Sequence, residues 1–158
     1  MHDIGKGVMV NSYPGLFPMI LGEMRRQNWQ VPMIVVEREL AGGLTHAVAG
    51  ELLIRKWGME GQLGNAVLSH HKPRADDALS ILVAIADLVG QLLYPFPKEA
   101  KTPFREAVEE DRLADANDFL PEGLLSEGPL TLAELQSLLK ALPANVRRLA
   151  EEARRSIA

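Results

Sequence analysis

The sequence predicts an all-α protein. Strand signals are thin, because valine and isoleucine occur without runs of apolar–polar alternation between turn residues. Helical signals recur, as apolar residues three and four apart between capping residues and proline or glycine stops. The chain has 158 residues, of which 47% are hydrophobic and 24% charged, as in one ordinary globular domain. We expect about seven to nine helices.

The first half of the chain contains a series of short helical segments. Pro32 opens one of them, Thr45 is placed to cap the next, and Pro73 stops the last. Trp57 ends the segment that follows Thr45, and we expect its ring to anchor the core. The expected helices span residues 19–27, 33–40, 45–56 and 60–71.

The clearest helical segment follows Asp76 or Asp77, either of which can act as its N-cap, and it runs to Tyr94. Its apolar residues almost encircle the helix axis, which predicts a central, buried helix. Pro95 and Pro97 are expected to end it, because a proline ring cannot continue the backbone hydrogen bonds.

The last third of the chain differs in composition, with more charge and alanine and no histidine. Thr102 is a predicted N-cap, and Thr131 with Glu134 has the spacing of a capping box. Pro143 is expected to break the helix that follows, and residues 145–157 to form the last one. We therefore divide the chain into a helical core, residues 1–97, and a C-terminal helical extension of the same domain, residues 98–158.

Composition excludes several classes of protein. Seventeen Lys plus Arg against twenty-one Asp plus Glu give a net charge of −4, which argues against non-specific nucleic-acid binding. The absence of cysteine excludes disulfides, zinc–thiolate sites and the usual iron–sulfur sites. No run approaches the ~18 apolar residues of a membrane span, and the first residues lack the pattern of a signal peptide. A bacterial cytoplasmic protein that binds neither membrane nor nucleic acid is expected.

The histidines are few, and each lies beside a helix end, an acid or another histidine. There are four: His2, His46, His70 and His71. Singly, each has an ordinary explanation, such as a surface histidine or a pair that favours a helix C-terminus. Asp87 is different, because an acid within an apolar helix must be paired, hydrogen-bonded or metal-bound.

Taken together, these histidines and acids indicate a divalent metal site. Imidazole suits Fe, Ni and Zn, and carboxylate suits Mn and Mg. Two such ions ~3.5–4 Å apart could activate water and hold the oxygens of a phosphoryl group. Lys6 could contact a phosphate oxygen, or it could be an ordinary solvated lysine. One or two ions are compatible with the sequence.

The segment from His2 to Lys6, with the order H-D-x-G-K, resembles the signature of the HD superfamily of metal-dependent phosphohydrolases. A longer series resembles the HDOD family. It comprises E…G-x-x-H-x-x-x-G-x-x-L-x-x-x-W between Glu37 and Trp57, H-H-x-P from His70, and a final A-D at Asp87. The resemblance covers about residues 2–94 and implies an HD-like helical bundle with a C-terminal helical extension.

The resemblance also implies roles for individual residues. His2 and Asp3 would be the paired metal ligands, with Asp3 able to bridge two ions, and Asp87 would be the distal aspartate ligand. Lys6 would match the phosphate-facing lysine, so that Asp3 and Lys6 are the candidate catalytic residues. The remaining histidines match the second metal site of two-metal members: His46, His70 and His71.

Two departures from the family pattern bear on function. HD proteins carry a further histidine upstream of the HD pair, so we expect a longer protein, an omitted N-terminal part or an incomplete metal site. The HD-GYP continuation after the double histidine is absent, and Lys72-Pro73-Arg74-Ala75 stands in its place. This argues against cyclic-di-GMP hydrolysis of the HD-GYP type and favours HDOD.

Three functions remain open at this point. The first is an HDOD-type signal-transduction or regulatory domain with a retained metal site, which acts through other signalling domains or proteins. The alternative is an active metal-dependent phosphohydrolase or phosphodiesterase that acts on a nucleotide or cyclic nucleotide. The third is a purely structural helical domain. Retained ligands favour metal binding, but turnover also needs an open water position and a positioned substrate.

Overall fold

The computed structural model describes residues 1–94, 102–125 and 130–157. All regular structure in these ranges is helical, which confirms the predicted fold class. None of the helices there combines the length and apolar content needed to cross a membrane. The elements in chain order are α1 Ile4–Ser12, α2 Leu16–Arg26, α3 Met33–Leu40, α4 His46–Lys56, α5 Gln62–Ser69, α6 Ala78–Leu93, α7 Pro103–Glu109, a 3-10 segment Leu113–Phe119, and α8 Leu132–Ile157.

The predicted N-caps are present. Thr45 caps α4, where its hydroxyl oxygen accepts from the backbone N–H of Val48 at 3.4 Å. Asp77, rather than Asp76, caps α6 and accepts from the backbone N–H of Ser80 at 3.1 Å. The sequence did not predict α1, since its two glycines and polar residues give little intrinsic helix propensity. The predicted stops at Pro95 and Pro97 lie outside the described residues.

Three expectations were wrong. Pro143 lies inside α8 and does not end it, because a proline removes one backbone donor while its neighbours keep their own bonds. Trp57 does not anchor the core, since 52% of it is exposed. Helix α6 is not buried on all sides, because Leu82 is 64% exposed.

Two apolar clusters of buried residues hold the described chain together. The first joins α1, α2, α3 and α4 and contains Met9, Ile20, Met24, Val36 and Ala49. The second joins α6, α7, the 3-10 segment and α8. Its members from α6 are Ile81, Leu88 and Val89. Helix α6 therefore packs with the C-terminal elements while it also carries Asp87.

Helices α1 and α4 pack with their backbones almost touching. A Cβ atom added to Gly5 would overlap the carbonyl oxygen of His46 and lie 2.6 Å from the backbone nitrogen of Gly50. Only glycine permits this approach, because its single hydrogen leaves room for the facing backbone. The close approach brings Asp3, the N-cap of α1, next to His46, the first residue of α4.

The capping box at the start of α8 is confirmed. The backbone N–H of Thr131 donates to Glu134 Oε2 at 2.8 Å, and the backbone N–H of Glu134 donates to Thr131 Oγ1 at 3.3 Å. We expect Thr131→Ala to lower the free energy of unfolding by ~1 kcal/mol in urea titrations. Ser137→Ala, at an exposed position within the same helix, is the control. An equal effect of both substitutions would contradict the capping role.

Candidate metal centre

The six predicted ligands come from the ends of three helices and the middle of a fourth. His2 and Asp3 precede α1, and His46 begins α4. His70 is the C-cap of α5, with His71 directly after it. Asp87 lies within α6. The fold brings these side chains into one connected cluster, and all of them except His70 line one cavity.

His46 is at the middle of this cluster. Its Nε2 lies 3.0 Å from Nε2 of His71 and 3.3 Å from Nε2 of His70. The same nitrogen lies 3.3 Å from Asp3 Oδ1. One ligand atom from each of the three histidines lies within 4.8 Å of the others. We call His46, His70, His71 and Asp3 Oδ1 the His46 group.

His2 begins a second group beside the first. Its Nε2 lies 3.2 Å from Asp87 Oδ1 and 3.5 Å from Asp3 Oδ2. Ligand atoms of His2, Asp3 and His70 also lie within 4.8 Å of one another. We call His2, Asp3 Oδ2, His70 and Asp87 the His2 group. Asp3 therefore offers one carboxylate oxygen to each group, and His70 is shared between them.

Acceptors behind two of the rings determine which nitrogen faces the centre. His70 Nδ1 lies 2.7 Å from the carbonyl oxygen of Val67, and His46 Nδ1 lies 2.6 Å from Glu37 Oε2. Carbonyl and carboxylate oxygens only accept, so each Nδ1 carries the ring proton and each neutral ring presents a bare Nε2. Two bare nitrogens 3.3 Å apart repel each other unless a cation lies near both. The donor set thus fits a metal ion, with the outer hydrogen bonds usual for metal-bound histidine.

The pKa values of His70 and His71 favour the neutral form of the imidazole ring. Burial lowers the pKa of His70 below its ordinary value of 6.5. Burial also lowers the pKa of His71 to about 3, with repulsion from His70 and His46 adding to the effect. Both imidazoles are therefore neutral near pH 7, which is the form that binds metals.

Both aspartates are ionised. Burial raises the pKa of Asp3, but the neighbouring positive charges, with the charge and hydrogen bond of Lys6 foremost, outweigh it and bring the pKa below 3.8. Burial likewise raises the pKa of Asp87, and the hydrogen bond and charge of His2 more than compensate, bringing it to about 2. The centre therefore carries two carboxylates able to bind a cation.

Glu37 is a site residue that sequence reasoning missed. It begins the motif noted above, but nothing in the motif assigns it a role. The structure buries it completely, with Oε2 against His46. A signal was present, since Glu37 lies four residues after Met33 and next to the buried Val36, on the apolar side of α3.

The comparison with family models finds a similarity. Residues 1–73 match the model of the HDOD domain. This part of the chain is therefore similar to the HDOD family. No curated protein and no solved structure matches the chain. The HDOD match includes His2, Asp3, His46, His70 and His71, whereas Asp87 lies beyond the matched range.

The centre opens into a cavity of about 950 Å³. Lys6 lines it, with Nζ 2.7 Å from Asp3 Oδ2, and Arg38 and Lys72 line it as well. Its apolar lining includes Phe17, Leu21, Met24, Trp29, Val31 and Met33. The backbone of Trp29 is left-handed, with φ 60°.

Proposed function

We propose that this chain is a signal-transduction or regulatory domain of the HDOD family. We propose that it binds a divalent metal ion between the side chains of the His46 group and the His2 group. One observation carries the proposal. His46 and His70 present bare Nε2 atoms 3.3 Å apart, each fixed by an acceptor on the opposite ring nitrogen. Such an arrangement is unfavourable without a cation and is the ordinary arrangement of histidine around a metal.

The donor set favours some ions over others. Three imidazoles with carboxylates suit Fe, Ni or Zn best, Mn is acceptable, and Mg is the poorest match. A bound ion would polarise a phosphoryl oxygen and lower the pKa of a bound water. Asp3, with an oxygen in each group, is the residue suited to hold one ion or bridge two.

We propose further that residues 98–158 extend the same domain and carry contacts to other signalling domains or proteins in the cytoplasm. Two contacts support a direct link to the centre. The backbone N–H of Glu122 donates to the carbonyl oxygen of His71 at 2.8 Å. Its side chain accepts from Lys72 Nζ at 2.6 Å. A partner that displaced this segment would act directly on the loop that carries His71.

A second function is favoured by the cavity. Its volume of about 950 Å³ leaves room for a nucleotide-sized phosphoester beside the centre. The cationic side chains of Lys6, Arg38 and Lys72 line the same space and suit a phosphate group. A metal-dependent phosphohydrolase or phosphodiesterase, with Asp3 and Lys6 as its catalytic residues, is therefore the alternative proposal.

Metal content and turnover distinguish these proposals. We expect protein purified without chelator, then loaded in turn with Fe, Mn, Ni and Zn, to retain metal by elemental analysis. We expect its hydrolysis of bis(4-nitrophenyl) phosphate and of cyclic nucleotides not to exceed that of Asp3→Ala. Turnover that Asp3→Ala abolishes would establish the enzyme instead. Failure to retain any of the four metals would contradict both proposals.

A further inference from the structure

Glu37 is a fully buried carboxylate, and only one of its two oxygens has hydrogen-bond partners within the described residues. Its relative exposure is 0%. Oε2 accepts from the backbone N–H of His46 at 2.9 Å and meets His46 Nδ1 at 2.6 Å. Oε1 is also buried, and no hydrogen-bond partner for it is found within the described chain. A buried acid that served only to join two helices would gain most by pairing both oxygens, because an unpaired buried oxygen is costly.

The two bonds to Oε2 fix the His46 ring against its own backbone. The backbone N–H holds the oxygen at the start of α4, and the ring must point Nδ1 at that same oxygen. Rotation of the ring by half a turn would lose the shorter bond. Nε2 is consequently directed at Asp3 Oδ1 and at Nε2 of both His70 and His71.

We propose that Glu37 is a positioning residue for the metal centre. It holds His46 in the Nδ1–H tautomer and makes Nε2 a stronger donor through the negative charge behind the ring. The tautomer part of this inference concerns the metal-free protein, and the affinity part rests on the proposed function. Carboxylates placed behind metal-bound histidines commonly contribute in this way.

The matched variants are Glu37→Gln and Glu39→Gln. Both remove one negative charge from α3 without changing side-chain size, but Glu39 is exposed whereas Glu37 is buried. In Glu37→Gln the backbone N–H of His46 holds the glutamine carbonyl oxygen against the ring, so the Nδ1–H tautomer is kept and only the negative charge is lost. Glu37→Leu removes the acceptor itself, so the ring is no longer held in one tautomer. A merely structural role for Glu37 would change the melting temperature without changing the tautomer of His46 in Glu37→Leu or the affinity for Zn²⁺ in Glu37→Gln.

The first measurement is the tautomer of His46 in metal-free protein, read from long-range ¹H–¹⁵N correlations of the histidine rings. We expect the Nδ1–H tautomer in the wild type and in Glu39→Gln, and a mixture or the Nε2–H tautomer in Glu37→Leu, which offers the ring no acceptor. An Nε2–H tautomer in the wild type would overturn the proposal even if Glu37→Leu did not fold. An unchanged Nδ1–H tautomer in folded Glu37→Leu would overturn it as well.

The second measurement is the affinity for Zn²⁺, titrated against a chelator of known affinity. We expect Glu37→Gln to bind Zn²⁺ ~10–100-fold more weakly than the wild type, and Glu39→Gln to bind as the wild type does. Equal affinities for all three proteins would overturn the part of the proposal that concerns the metal. A wild type that binds no Zn²⁺, Fe, Mn or Ni would instead overturn the proposed function, while the tautomer of His46 would still decide the role of Glu37.

Discussion

Replacing Gly5 by alanine is expected to destabilise the protein by at least ~3 kcal/mol and to separate the halves of the metal centre. The added Cβ would overlap the carbonyl oxygen of His46 and crowd the backbone nitrogen of Gly50. Both are backbone atoms of α4, so no side-chain rotation relieves the overlap, and α1 has to move away as a unit. Since Asp3 precedes α1 and His46 begins α4, their 3.3 Å contact is expected to be lost. Urea unfolding and Zn²⁺ titration measure the two effects.

Gly7→Ala is the matched control for this substitution. Gly7 lies in the same helix, and a Cβ added there would meet nothing within 4 Å. Alanine is a better helix former than glycine, so the control is expected to gain up to ~1 kcal/mol of stability. If Gly5→Ala unfolded at the same urea concentration as Gly7→Ala, the close packing of α1 on α4 would be contradicted.

The sequence predicted those helices whose signals are local. Met33–Leu40 was predicted with the observed bounds, and the caps at Thr45 and Asp77 were found because a capping side chain bonds a neighbouring turn. Helix α1 was missed because its stability comes from packing on α4 rather than from its own residues. The exposed face of α6 was missed because tertiary packing decides it. Apolar residues on all sides of a helix do not indicate which side other helices cover.

The candidate site was also predicted only in part from the sequence. The family resemblance named the six predicted ligands, but only the fold shows which of them contact each other. That Asp3 offers one oxygen to each group depends on the crossing of α1 and α4, which no spacing in the sequence encodes. The burial of Glu37 behind His46 depends on how α3 meets the start of α4. Contacts between segments far apart in sequence are tertiary properties, and a single sequence does not reveal them.

Asp3 and Asp87 are expected to differ sharply in their effect on metal binding, although the resemblance makes both of them ligands. Asp3 contributes an oxygen to the His46 group and another to the His2 group. Asp87 contributes an oxygen to the His2 group, where it lies 3.2 Å from His2 Nε2. Asp3→Asn is therefore expected to weaken Zn²⁺ binding by more than ~100-fold, since outer partners of ligands alone contribute 10–100-fold.

Asp87→Asn is expected to spare the His46 group and to lose only binding that needs His2. If the wild type holds two ions, Asp87→Asn retains one; if it holds one in the His46 group, the affinity of Asp87→Asn falls by no more than ~10-fold. Titration calorimetry gives the number of ions and the affinities, and circular dichroism checks that the helices persist. Asp118→Asn, an exposed carboxylate lining the same cavity, controls for the lost charge. Loss of all metal binding in Asp87→Asn would contradict this division between the two groups. It would mean that the ion is held between His2 and Asp87, and that the three imidazoles of the His46 group do not bind a metal by themselves.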